Sequence, residues 1–219
     1  MRMSRARAVR EWTRRAIDKY FLGFIFPDRI SSYYGDYEPF FYAQGLEMVC
    51  KAYLIGTAFP LYRDKSFAKA KKEIDRIARG HSHDLGKLVK ELISLGVIPI
   101  DFLDKVHYHD SINNVDITNQ DMLKTLWAVY LEARYPVAKL DYQRHYEEKI
   151  KGNPKAKNKR IVSIPKMSHE VGLFNRKLFT LILKSIENDF RLKISREKLR
   201  ADIDDNDWER FSNLFFRYG

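Results

Sequence analysis

Two short stretches hold side chains able to do acid–base or metal chemistry: "HSHD" at 81–84 and "HYHD" at 107–110, both in the order His-x-His-Asp. Together they take four of the chain's six histidines. Imidazole and carboxylate are good ligands for zinc, iron or manganese, and a His-Asp pair is typical of divalent-metal phosphohydrolases. Those enzymes also need a first histidine upstream on another helix, and no histidine precedes His81. The first stretch has a reading without metal. Ser82 can cap a helix, Asp84 in the first turn complements the positive end of the helix dipole, and His83 packs at the start. The second stretch falls in a polar loop, where histidine and aspartate are ordinary. The expectation is therefore no metal site and no cofactor.

Three other groups carry charge in useful places. Glu47 and Lys51 stand four apart in the favourable Glu-before-Lys order. They read as an intrahelical pair, or as part of a polar seam in which burial shifts their pKa values. Arg134, before Tyr135 and Pro136, either bonds the open carbonyls at a helix end or grips a phosphate with its guanidinium fork. The stretch "KGNPKAKNKR" crowds Lys151, Lys155, Lys157, Lys159 and Arg160 around a turn. With Tyr142 and Tyr146 nearby for stacking, it is the strongest nucleic-acid-binding candidate. There is no Gly-rich phosphate loop, Walker sequence or nucleophile elbow.

The elements that must position these groups are mostly helical. Val9, Trp12, Ala16 and Tyr20 recur at spacings of three and four and predict a helix over 4–24, with Arg7, Arg10 and Arg14 on its other side. "FPDRISSYYGDYEP" reads as a connection. A second helix is expected over 38–57, with a broad apolar face. Ser66 is placed to cap a basic third helix over 67–79. Leu85, Leu88, Val89, Leu92 and Ile93 mark a fourth, ended by Gly96 and Pro99. Residues 97–117 hold a short helix at most, around 101–107, then a polar loop. "TNQD" at 118–121 resembles a capping box and opens a fifth helix that Pro136 closes. A basic hairpin or extended arm is expected over 137–167. Ser168 is placed to cap a helix running to about 192, and a last helical piece follows "DDND".

The bulk composition suits one folded domain over 1–219. The chain is 45% hydrophobic and 32% charged, with a formal net charge of +11. A surface of that sign attracts polyanions, nucleic acid foremost. No apolar run approaches the ~20 residues of a membrane span. The basic, then aromatic, N-terminus lacks the apolar core and cleavage site of a signal peptide. The lone Cys50 suits a reducing compartment, so a cytoplasmic location and no membrane partner are expected.

Three blocks, in order, resemble the HEPN superfamily of helical-bundle proteins. "AQGLEMVCKAYL" at 43–54 is similar to its Gln…Glu-x-x-x-Lys-Ala helix, through Gln44, Glu47, Lys51 and Ala52. "HDLGKLVKEL" at 83–92 is similar to its His-Asp-Leu helix start, and "YLEARYPV" at 130–137 to its Tyr…Arg-Tyr-Pro helix end. The resemblance implies an all-α, up-down bundle of four to five core helices. The arm would be inserted before the penultimate helix, and the helices of 168–219 would complete the bundle. It implies a polar cleft around Glu47, Lys51, Asp84 and Arg134, and a homodimer that binds RNA or nucleotides. Many members resemble metal-independent ribonucleases with an Arg-x(4–6)-His motif in a late helix. Here no histidine follows Arg134 at that spacing, since His145 is too far along. The spacing recurs only earlier, at Arg76 and His81, so a divergent ribonuclease using Arg76 with His81 or His83 is the alternative. A non-catalytic adaptor for a nucleotidyltransferase or defence system is another.

Overall fold

The computed structural model describes residues 2–29, 37–81, 83–111, 113–134, 152, 164–194 and 209. Over these the chain is mostly helical with one small antiparallel hairpin. In chain order come α1 (Arg5–Arg29), α2 (Tyr37–Thr57), a 3-10 turn (Phe59–Leu61) and α3 (Phe67–Gly80). Then follow α4 (Leu85–Ser94), β1 (Val106–Asp110), β2 (Val115–Thr118), α5 (Asn119–Arg134) and α6 (Ile164–Asp189). No helix among the described residues is long and apolar enough to cross a membrane.

α2 is the hub, packed against α1, α3, α4, α5 and α6. Its apolar residues nearly encircle it: Ala43, Leu46, Val49, Cys50, Ala52 and Ile55 are all fully buried. A helix apolar all round belongs at the centre of a bundle. Gly45 sets how closely α1 approaches, because a Cβ there would stand 3.1 Å from the Ala16 carbonyl oxygen. Leu46, Leu88, Leu126, Phe174 and Ile182, from four helices, belong to one core. A second, smaller core lies under α3, where Ala70, Ile74, Ile77 and Ala78 meet Met3, Ala8, Ile55 and Tyr62.

Several ends form as their sequence chemistry dictates. Asp84 is the N-cap of α4, its Oδ1 accepting from the Lys87 N–H at 3.1 Å. α4 ends in a Schellman motif, with Val97 N–H donating to Leu92 O and Gly96 N–H to Ile93 O, each at 3.0 Å. Gly96 supplies the positive φ, +74°, that this ending requires. At α5 the capping box is complete: Thr118 N–H donates to Asp121 Oδ2 at 2.9 Å, and Asp121 N–H returns to Thr118 Oγ1 at 3.3 Å.

Other boundaries differ from the sequence expectations. α1 runs on through Pro27, which costs it one backbone donor in the last turn only. Ser66 stands at the N-cap of α3 but makes no side-chain cap bond. Ser82 lies outside the described residues, and the cap is Asp84 itself. Ser168 is not a cap, because α6 begins four residues earlier at Ile164. Where a short helix around 101–107 and then a polar loop are expected, β1 and β2 pair instead as an antiparallel hairpin, because the backbone groups of 106–110 find their partners across the turn. His109 pairs with Asp116 and Tyr108 with Ile117 across it. Of the 137–167 arm, residues 164–167 are the first turn of α6. Apart from Gly152 the rest lies outside the described residues, as do Tyr142, Tyr146, Lys151, Lys155, Lys157, Lys159 and Arg160. The helical piece after "DDND" lies outside them too, Glu209 excepted.

Candidate functional site

The residues singled out on α2 lie in the interior. Glu47 and Lys51 project from successive turns, with side chains only 9% and 5% exposed. Lys51 Nζ donates to Glu47 Oε1 at 2.8 Å. The other carboxylate oxygen, Oε2, accepts from the Tyr130 hydroxyl of α5 at 2.7 Å. His83, just ahead of α4, places Nδ1 2.9 Å from Glu47 Oε1. One carboxylate thus joins three helical segments, and charge-assisted bonds of this kind are the stronger class.

Burial by itself would raise the Glu47 pKa. The hydrogen bond and charge of Lys51, the Tyr130 hydroxyl and His83 outweigh it, so the carboxyl sits below the usual glutamate range. Glu47 is therefore ionised at neutral pH, with both oxygens occupied. A general base needs a carboxylate with a free lone pair facing substrate and a pKa near the working pH. Glu47 meets neither need. Cys50, one turn on, is fully buried, and its thiol is pushed far upward by burial and by the Glu47 charge. It is not a nucleophile. Gln44, one turn before Glu47, keeps its buried Oε1 without a partner among the described residues.

The four paired histidines go to four different carboxylates. His81 Nδ1 stands 2.9 Å from Glu91 Oε2, and His83 reaches Glu47. His107 Nε2 lies 3.3 Å from Glu170 Oε2 of α6, and His109 Nδ1 lies 2.7 Å from Asp116 Oδ1. Of the two aspartates, Asp84 caps α4. Asp110, fully buried, accepts from the side-chain amide of Asn113 at 2.7 Å in the hairpin turn. No group of three or more metal-ligating side chains assembles among the described residues. The Arg76 and His81 side chains also have separate partners. Arg76 turns back to Glu73, where Nε donates to Oε1 at 2.8 Å, while His81 turns forward to α4. Glu73 accepts from both Lys65 and Arg76, and these bonds hold it below the usual carboxylate range.

The structure thus brings together Glu47, Lys51 and His83. Asp84 stands beside them in sequence but is spent on the cap. Arg134 closes α5, and its side chain lies outside the described residues. The sequence reading missed Tyr130 as a polar partner, although its position four residues before Arg134 put it within the third quoted block. It also missed Glu91 and Glu170, each of which reaches a histidine from a separate helix.

No family model, curated protein or solved structure matches the chain.

Proposed function

We propose that this chain is a HEPN-like helical bundle that binds RNA through its surface cations, with Glu47 as an internal tie rather than a catalytic group. The observation that carries the reading is the convergence on one carboxylate. Glu47 and Lys51 come from the first quoted block, His83 from the second and Tyr130 from the third. Residues of three blocks far apart in the chain thus form one hydrogen-bonded cluster.

The ligand class follows from charge. The exposed side of α3 carries Lys69, Lys71, Lys72, Arg76 and Arg79 against Glu73 and Asp75. Lys69, Lys71, Lys72 and Arg79 have no carboxylate partner among the described residues, whereas Glu73 is already taken by Lys65 and Arg76. The start of α1 adjoins this surface, with the Arg7 guanidinium 4.8 Å above the Phe67 ring. Cations that are not neutralised internally are available for phosphates, whose release of counterions makes binding salt-dependent. The resemblance adds a homodimer to the proposal, and a nucleotidyltransferase as a possible class of partner.

The test is RNA affinity against salt. A single-stranded RNA oligomer should lose affinity steeply between about 50 and about 200 mM salt. The variant with Lys69→Glu, Lys72→Glu and Arg79→Glu should lose most binding at the lower salt while melting as the wild type does. No RNA binding at about 50 mM salt, or unchanged binding by the triple variant, would remove the proposal.

A further inference from the structure

One face of α6 and the segment leading into β1 enclose a groove of about 670 Å³, open to solvent and lined by none of the Glu47 cluster. Its α6 wall is one helical stripe, Leu173, Arg176, Lys177, Leu181 and Lys184, at i, i+3, i+4, i+8 and i+11. That stripe is about 16 Å long, roughly three helical turns. Pro99, Phe102 and Lys105 form the other wall. Lys177 stands 6.0 Å over the Phe102 ring, which joins the two walls.

Two properties set this groove apart. The first is charge. Lys105, Arg176, Lys177 and Lys184 stand around it, and no carboxylate is among the described lining residues. Lys105 is tied to Asp101 at 3.0 Å. Arg176 and Lys184 have no carboxylate partner among the described residues. The second is apolar surface left open. Leu173 and Leu181 on α6 are only half-buried. Four large hydrophobic side chains stand exposed among the described residues, and two of them, Ile100 at 86% and Val106 at 54%, belong to the 99–107 wall. Apolar surface gathered beside a polar rim marks an interaction site.

We propose that this groove seats an acidic amphipathic helix of a partner protein. Apolar side chains at spacings of three and four would lie against Leu173, Leu181 and Phe102, while carboxylates beside them meet Arg176, Lys177 and Lys184. Shape and chemistry together select this occupant. A solvent-open trough three turns long takes a rod, and a bilayer surface is too flat to enter it. Aliphatic walls favour peptide side chains over nucleic acid, whose bases stack on aromatic rings. A second copy of this chain, at a net charge of +11, would bring like charge to a cationic rim. Exposed ion pairs add little affinity each, so the apolar contacts hold the helix and the cations choose it. The α3 cations assigned to RNA take no part, so the two readings can fail separately.

The test is fluorescence anisotropy of the full chain with a labelled synthetic helix of about four turns, leucine at spacings of three and four and glutamate elsewhere. One control scatters the leucines at the same composition, and another keeps the pattern with lysine for glutamate. The acidic helix should bind in the micromolar range, and each control at least tenfold more weakly. Arg176→Glu with Lys184→Glu should weaken it at least tenfold, and Ile100→Ser severalfold, with melting unchanged and RNA binding through α3 retained. Absence of binding at about 1 mM peptide would overturn the proposal. So would equal binding of the scattered control, which would be mere attraction to a basic surface, or a double variant that binds as the wild type does. A dimer that the double variant dissociates, seen by light scattering, would make the groove a contact between copies and overturn it too. Phosphatidylserine vesicles bound through Arg176 and Lys184 in place of the peptide would do the same.

Discussion

The same four-letter order, His-x-His-Asp, folds into two different devices at 81–84 and 107–110. In the first, a helix follows. Asp84 becomes an N-cap, and His83, itself exposed, reaches the buried Glu47. In the second, a strand turns into a hairpin. Asp110 is buried in the turn on Asn113, His109 stays outside on Asp116, and His107 reaches α6. Backbone context, not residue order, decides what these side chains do. A helix start leaves free N–H groups that an aspartate satisfies. A hairpin turn makes a similar demand through different atoms. The lesson for Glu47 is the same: it is defined by the groups that close around it.

The largest effect expected separates the interior cluster from everything on the surface. Glu47→Ala would leave Lys51 buried and unpaired, and losing one partner of a buried pair costs about 3–5 kcal/mol. Urea denaturation should show it as a large fall in midpoint. The acid limb sharpens the point. Because the folded Glu47 pKa is below its unfolded value, its contribution is fully present above about pH 4.5 and is lost as pH falls through the depressed folded value. The stability gap between wild type and Glu47→Gln should therefore narrow as pH drops below about 4.5, and a gap constant down to about pH 3 would contradict the coupling.

Smaller effects divide the two His-x-His-Asp devices. Asp84→Ala removes a helix cap and should cost about 1 kcal/mol by thermal denaturation, with Asp84→Ser largely restoring it. His109→Ala breaks only an exposed pair and should cost about 0.5 kcal/mol or less. If His109→Ala proved more damaging than Asp84→Ala, the hairpin rather than the helix start would be the structural element of the two.

Much of the helical frame was legible from periodicity, because α4 and α5 carry clear stripes bounded by cap chemistry. The Schellman glycine and the Thr118–Asp121 box were readable for the same reason, since each is written in adjacent residues. The hairpin was not, because β1 is "VHYHD", with three polar residues of five and a bulge that breaks its alternation. Glu47 and Lys51 were legible as a pair through their spacing of four. Their burial, and the arrival of Tyr130 and His83, depend on how three helices dock, which local spacing does not encode. The groove beside α6 was invisible for a similar reason. Three of its cations lie on one helix, but Lys105, Phe102 and His107 come from a segment in which the sequence predicts a short helix.

The proposed division between an interior that holds the bundle and a surface that binds RNA is tested most directly by RNA affinity of Glu47→Gln, measured below its own melting temperature. Wild-type affinity in a destabilised but folded protein is the expected result. A loss of tenfold or more with the fold intact would place Glu47 in the binding or chemical step and contradict its role as an internal tie.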